Sequence, residues 1–190
     1  MERRDFLVAL ASLAAPVVAA AHSQDAAPAD RPPPGLLYPR TVIVVRHAEK
    51  AAEPAGDPPL DERGRARAER LAALLRHSGV THLFSSEFQR TQETLRPLGS
   101  AVDANVTIVA ARESRALLSA LDSLPRHAVA VVAGHSNTVP EIVAALAPQS
   151  FLVQRGRASL ALTEADYDRV YCITQWGPAP ADANVLELRY

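Results

Sequence analysis

Short apolar runs alternate with segments of helical periodicity along most of the chain. Residues 42–45 are an uninterrupted run of valine and isoleucine, which is typical of a buried strand. Further on, Ala68, Leu71, Ala72 and Leu75 repeat at the spacing of an amphipathic helix. These patterns predict strands at 42–45, 81–85, 106–109, 128–133, 159–163 and 169–174, and helices at 61–77, 87–95, 114–124 and from a cap at 136 or 137 to about 147.

Polar residues and proline indicate where two of these helices begin and end. Asp61 can cap the first predicted helix, and Gly79 follows its end. Ser86 and Gln89 have the spacing of a capping box at the start of the second helix. Because proline lacks an amide donor and restricts the residue before it, we expect the second helix to stop before Pro97.

The order of these elements predicts the fold class. Strands that alternate with helices, and that are apolar throughout, are typical of a parallel sheet covered on both faces. We therefore predict an α/β fold, a three-layer α/β/α sandwich with a largely parallel central sheet. In such sheets ligands bind beyond the carboxyl ends of the strands.

The first 40 residues differ in composition from the rest. Arg3 and Arg4 precede an almost wholly apolar segment, 6–21, that ends in three alanines before His22. This pattern predicts a cleaved export signal at 1–21 of the twin-arginine type, with an ordinary secretory signal or an uncleaved anchor as alternatives. The protein is then periplasmic or secreted, with no stable membrane anchor after cleavage.

Composition indicates the bounds of the domain and which ligands and cross-links it can have. Residues 22–40 are proline-rich and predict a linker or an extended arm, which leaves 41–190 as one domain. The net charge of -1 gives no indication of nucleic-acid binding. The single cysteine, Cys172, excludes an internal disulfide and a cysteine-based zinc cluster. No closely spaced histidine ligands of the H-E-x-x-H type are present, so we predict neither a metal nor a cofactor.

Polar side chains follow three of the predicted strands at the point where each ends. Arg46 and His47 follow the first strand, Arg90 lies one turn into the helix after the second, and His135 follows the fourth. If these strands are neighbours, two guanidinium groups and two imidazoles face one pocket. Arginine suits the oxygens of a phosphate group, and a histidine kept neutral by nearby cations can attack phosphorus. Such a site needs no metal where arginines neutralise the phosphate oxygens.

Four motifs in this order resemble the histidine phosphatase superfamily, which has the phosphoglycerate-mutase-like fold, and specifically its small single-domain members. Arg46 and His47 resemble the Arg-His-Gly signature of that family, with Ala48 in place of the glycine. The other three resemblances lie at 60–68, 85–94 and 134–137, so the motifs span 41 to about 147.

The resemblance implies a role for each matching residue. His47 would be the nucleophile and form a phosphohistidine, while Arg46, Arg90 and His135 would bind the phosphoryl group. Glu113, after the third strand, occupies the place of the general acid; its alternative role is a solvated glutamate at a helix start. Glu49, close to the nucleophile, can orient a ring or contact substrate.

The sequence thus predicts an exported, metal-independent phosphohydrolase that acts on phosphomonoesters. The loop at 51–60 is short, so we expect an open pocket. Such a pocket suits a small phosphorylated substrate or a phosphate group on an envelope glycan or protein. Two alternatives remain: a phosphoglycerate-mutase-like phosphotransferase, and a binding module for phosphate ligands without turnover.

Overall fold

The computed structural model describes residues 38–150, 153, 161–177 and 182–190. The predicted export signal, and the predicted arm up to residue 37, lie outside the described residues. Within the described ranges, no helix combines the length and apolar character that crossing a bilayer requires.

The described strands form one mixed sheet in the order β3-β2-β4-β1-β5-β6. Neighbouring strands are parallel from β3 to β1, whereas β5 is antiparallel to β1 and β6 is antiparallel to β5. The strands are β1 (Arg40–Arg46), β2 (His82–Ser85), β3 (Val106–Ile108), β4 (Val129–Gly134), β5 (Arg169–Gln175) and β6 (Ala183–Arg189). The α/β fold with a largely parallel sheet is therefore confirmed.

The sequence prediction was wrong about two segments near the end of the chain. Of the strand expected at 159–163, the first two residues lie outside the described part, and 161–163 are not strand. The edge strand β6 was not predicted at all. Its side chains are half-buried or exposed, so it lacks the continuous apolar run that revealed β1 and β4.

The described helices are α1 (Glu62–Leu75), α2 (Gln89–Val102), α3 (Ser114–Asp122) and α4 (Thr138–Leu146). Asp61 caps α1 as expected, because its side chain accepts a hydrogen bond from the Gly64 amide at 2.7 Å. The prediction for α2 was wrong at both ends. The helix begins after Phe88, which makes no side-chain cap, and it runs through Pro97.

Packing explains why α2 continues past its proline. Leu95 and Leu98, on either side of Pro97, are fully buried. Gly99, two residues after Pro97, lets the helix approach the sheet so closely that a Cβ there would lie 3.2 Å from a Leu83 methyl group. An interior proline costs about 3 kcal/mol, and burying two leucines contributes a similar amount.

Two hydrophobic layers sandwich the sheet. Alternate residues of β1 face opposite sides: Val42 and Val44 pack with α3 and α4, whereas Ile43 and Val45 pack with α1 and α2. Both layers consist largely of buried aliphatic side chains around the central strands β1 and β4, and the layer beneath α3 and α4 also contains Phe84 and Tyr171.

The register of the sheet brings the polar strand ends together. Arg46, at the end of β1, lies opposite Gly134 at the end of β4, and Ser85, at the end of β2, lies opposite Ala133. Because β4 lies between β1 and β2, the residues that follow these three strands emerge side by side at one edge of the sheet.

Candidate active site

Four of the sequence-predicted site residues line one cleft at this edge. Arg46, His47, Arg90 and His135 surround a space of about 460 Å³. The two imidazole rings have centroids 5.4 Å apart and meet edge to face. Arg46, His47 and His135 are all buried, although they come from segments nearly 90 residues apart. The arrangement presents two cations and two imidazoles to one ligand.

His47 is held in the tautomer that a nucleophile requires. Its Nδ1 lies 2.8 Å from the carbonyl oxygen of Ala48. A carbonyl can only accept a hydrogen bond, so Nδ1 carries the proton and Nε2 keeps a free lone pair. Burial, together with the charges of Arg46, His135 and Arg90, lowers the pKa of His47 to about 3, against the opposing effect of the Ala48 hydrogen bond. The ring is therefore neutral at physiological pH.

His135 is oriented by a hydroxyl group of the second strand's loop. Its Nε2 lies 2.9 Å from the Ser86 hydroxyl, which in turn lies 2.8 Å from the hydroxyl of Thr91. Burial lowers the pKa of His135 to about 4, with Arg90 adding to the shift. The sequence predicted a helix cap at Ser86, whereas in the structure this serine positions the second imidazole.

Arg46 contacts the loop that precedes β5, which the sequence did not assign to the site. The Thr163 carbonyl accepts a hydrogen bond from Arg46 at 2.6 Å, and the Glu164 carboxylate lies 3.3 Å from the same guanidinium. The ring of Tyr167 stacks on that guanidinium at 4.2 Å. This loop reaches the site because β5 is antiparallel to β1, so the start of β5 lies beside the end of β1.

Arg90 approaches the cleft from the first turn of α2. Its guanidinium stacks on the Phe88 ring at 4.2 Å and lies 3.7 Å from the Asp57 carboxylate. Burial lowers the pKa of Arg90. The Nε atoms of both Arg46 and Arg90 are buried without a hydrogen-bond partner among the described residues. A buried donor without a partner is costly, so each guanidinium retains capacity for a bound anion.

Glu49 is placed by an ion pair in the loop that follows His47. Its carboxylate accepts two hydrogen bonds from Arg67, at 2.8 and 2.7 Å. Burial alone would raise the pKa of Glu49, but these bonds outweigh it, and the pKa is lowered. The carboxylate thus pairs with Arg67 on α1. This ion pair fixes the loop after His47 against that helix.

The glycine of the 60–68 motif explains why α1 can pack this closely. A Cβ on Gly64 would overlap the backbone carbonyl of Glu49. That carbonyl also accepts a hydrogen bond from the Asp61 amide at 3.0 Å. Only glycine leaves room here, so the motif joins the start of α1 to the loop after His47.

Glu113 is the one predicted site residue that the structure does not bring to the other four. It is exposed just before α3, caps no amide with its side chain, and does not line the cleft. The carboxylate that does line the cleft is Glu164. In the described part of the chain, no three histidine, cysteine, aspartate or glutamate residues are arranged to hold a metal ion.

Comparisons with known proteins agree with this geometry. Residues 42–114 match the family model of the histidine phosphatase superfamily, branch 1. A curated relative, the 8-oxo-(d)GTP phosphatase of Mycolicibacterium smegmatis, is 42% identical over 69 residues, which are 34% of this chain and 21% of that protein. The match therefore spans only about a fifth of that relative's length.

Solved structures extend the likeness over most of the chain. A protein of Nakamurella multipartitia assigned as the phosphohistidine phosphatase SixA is 24% identical, with a TM-score of 0.62, over 80% of this chain and 96% of that chain. A protein histidine phosphatase SixA complexed with tungstate is 17% identical, with a TM-score of 0.63, over 78% and 96%. A mycobacterial glucosyl-3-phosphoglycerate phosphatase is 16% identical, with a TM-score of 0.59, over 80% and 98%. These structures share the fold.

Proposed function

Because the chain belongs to the histidine phosphatase superfamily, we propose that it is a phosphohydrolase that cleaves phosphomonoesters through a phosphohistidine on His47. The observation that carries the proposal is the state of the His47 ring. It is neutral, its Nδ1 proton is bound to the Ala48 carbonyl, and its Nε2 lone pair is free in a cleft with two guanidinium groups.

The first step transfers the phosphoryl group to the enzyme. Arg46, Arg90 and His135 hold the phosphoryl oxygens and balance a charge of roughly -1.5 to -2. Nε2 of His47 attacks phosphorus, so a nitrogen–phosphorus bond forms while the bond to the ester oxygen breaks. Charge that develops on the phosphoryl oxygens is stabilised by the same guanidinium groups.

The leaving oxygen departs with the bonding electron pair and needs a proton. Glu113 remains the sequence-based candidate for this donor, although it is exposed outside the cleft. Glu164 lines the cleft and forms an ion pair with Arg46 at 3.3 Å. In the second step, water attacks the phosphohistidine, and phosphate leaves with His47 restored.

The substrate in this proposal is a small phosphorylated molecule or a phosphate group on an envelope glycan or protein. The likeness to an 8-oxo-(d)GTP phosphatase and to a protein histidine phosphatase SixA supports phosphate-ester or related chemistry in general terms. Export to the periplasm is a further part of the proposal, and it is supported by the sequence of residues 1–21 alone. Independence from metal ions is likewise proposed.

Turnover of p-nitrophenyl phosphate tests the proposal. We expect the wild type to release phosphate in the presence of a chelator, and His47→Ala to be inactive. The same substitution at His77, an exposed histidine remote from the cleft lining, is the matched control and should leave turnover intact. Tungstate should inhibit competitively. Turnover that His47→Ala retains would refute the phosphohistidine route.

A further inference from the structure

Two cations in the cleft are not needed to hold the scissile phosphoryl group. Besides Arg46 and Arg90, the cleft is lined by Lys50 and Arg112. Both side chains belong to exposed residues, so they lie at the rim rather than at the floor where His47 is buried. Four cationic residues thus surround one cleft.

The two pairs of cations differ in their partners. Arg46 lies 3.3 Å from Glu164, and Arg90 lies 3.7 Å from Asp57. Within the described ranges, neither Lys50 nor Arg112 has a carboxylate within ion-pair distance. The rim cations are therefore available to a second anion.

One carboxylate that contacts the Arg112 segment is already hydrogen-bonded. Glu87 accepts a hydrogen bond from the Ala111 amide at 2.8 Å, which lowers the pKa of Glu87; Arg112 adds only a smaller, through-space contribution. This bond anchors the backbone next to Arg112. The charge of Arg112 is thus presented on a segment that is fixed against the loop after β2.

The backbone of Lys50 is also fixed. Lys50 forms an isolated antiparallel bridge with Leu60, and the next amide, of Ala51, donates to the Pro59 carbonyl at 2.8 Å. Lys50 follows His47 by three residues on the loop that Glu49 holds against α1. Hydrogen bonds therefore fix the backbone at both rim cations, as expected of a preorganised binding subsite.

The size of the cleft is consistent with a ligand larger than phosphate. At about 460 Å³ it falls within the range of small-molecule sites, roughly 300–1,000 Å³. A phosphoryl group held by Arg46 and Arg90 occupies only part of that space. The remainder extends to the rim where Lys50 and Arg112 lie.

We propose that Lys50 and Arg112 form a second anion subsite at the rim of the cleft, so that the preferred substrate is a phosphomonoester with a second phosphate or a carboxylate. This inference rests on the proposed phosphatase activity, and it assigns the substrate class of that site. The second group does not react. It is held by the rim cations while His47 attacks the first.

Matched substrate pairs test the subsite with the full-length protein. One pair is glucose 6-phosphate and glucose 1,6-bisphosphate; the other is glycerol 3-phosphate and 3-phosphoglycerate. Within each pair the measured quantity is the ratio of kcat/KM for the doubly anionic substrate to that for the singly anionic one. We expect the wild type to favour the doubly anionic member, beyond the factor of two that the two phosphates of the bisphosphate supply. The pair with the larger ratio distinguishes phosphate from carboxylate.

Variants that remove one charge each test whether Lys50 and Arg112 cause the preference for the doubly anionic substrate. Exposed ion pairs are each worth up to about 1 kcal/mol, so Lys50→Gln and Arg112→Gln should each lower the ratio about threefold to fivefold, mainly through KM. Arg115→Gln, exposed on α3 and outside the cleft lining, is the matched control and should leave the ratio unchanged.

Two results would overturn the subsite while leaving the phosphatase proposal intact: a wild-type ratio near one, or an equal loss on both members of a pair in the variants. The second result would mean that the rim cations only attract anions in general. Absence of any His47-dependent turnover would instead reject the phosphatase proposal itself.

Discussion

Acidification is expected to destabilise this protein through its two buried imidazoles. The pKa of His47 is lowered to about 3 and that of His135 to about 4, chiefly by burial, against 6.5 in an unfolded chain. Since the folded-state values are the lower ones, the unfolded chain binds these protons first. The stabilising contribution is complete above pH 6.5 and is lost progressively as the pH falls toward the folded-state values.

The size of this loss in the free energy of unfolding depends on how far the pH falls below the unfolded-state pKa of 6.5. Each pH unit below 6.5 costs about 1.4 kcal/mol per imidazole. Between pH 7.5 and pH 5, each ring should therefore reduce the free energy of unfolding by about 2 kcal/mol, and the pair by about 4 kcal/mol.

Urea unfolding at pH 7.5, 6.5 and 5 in phosphate-free buffer measures this dependence. His47→Asn and His135→Asn remove one titrating ring each, so each variant should lose about 2 kcal/mol less than the wild type over the same interval. The same substitution at exposed His77 controls for the loss of an imidazole as such. Identical pH dependence in the wild type and both active-site variants would refute the reasoning.

Three further substitutions probe the groups that support the site. Ser86→Ala removes the hydroxyl that orients the second imidazole and should lower kcat/KM about tenfold, with activity largely restored in Ser86→Thr; equal activity in Ser86→Ala would show that the ring needs no such partner. Gly64→Ala places a Cβ against the Glu49 carbonyl and should cost roughly 2 to 3 kcal/mol in urea unfolding, whereas Gly56→Ala, whose Cβ meets nothing within 4 Å, should be nearly neutral. Glu49→Gln leaves the half-buried charge of Arg67 without its charged partner and should cost about 2 kcal/mol in urea unfolding; a change below about 0.5 kcal/mol would contradict the assignment of a stabilising pair.

The central part of the fold could be predicted because its signals are local. The apolar runs of β1 and β4 and the cap at Asp61 each depend on residues close in sequence. The end of α2 could not be predicted in this way. Its continuation past Pro97 depends on packing against Leu83, which belongs to another element.

The same distinction applies to the site. Arg46 ends β1, and His47 and His135 directly follow buried strands, so their meeting could be inferred from a parallel sheet. Glu164 and Tyr167 could not be assigned, because they reach Arg46 only through the antiparallel pairing of β5 with β1. Glu113 matches a family position in sequence, but the turn before α3 leaves it exposed.

The most direct test of the account is to find the phosphoryl group on its nitrogen. The protein is mixed with substrate, quenched in alkali to preserve phosphohistidine, and the modified peptide is identified by mass spectrometry. The account predicts acid-labile phosphate on His47 in the wild type and none in His47→Asn. Phosphate found on a different residue, or rapid turnover by His47→Asn, would contradict it.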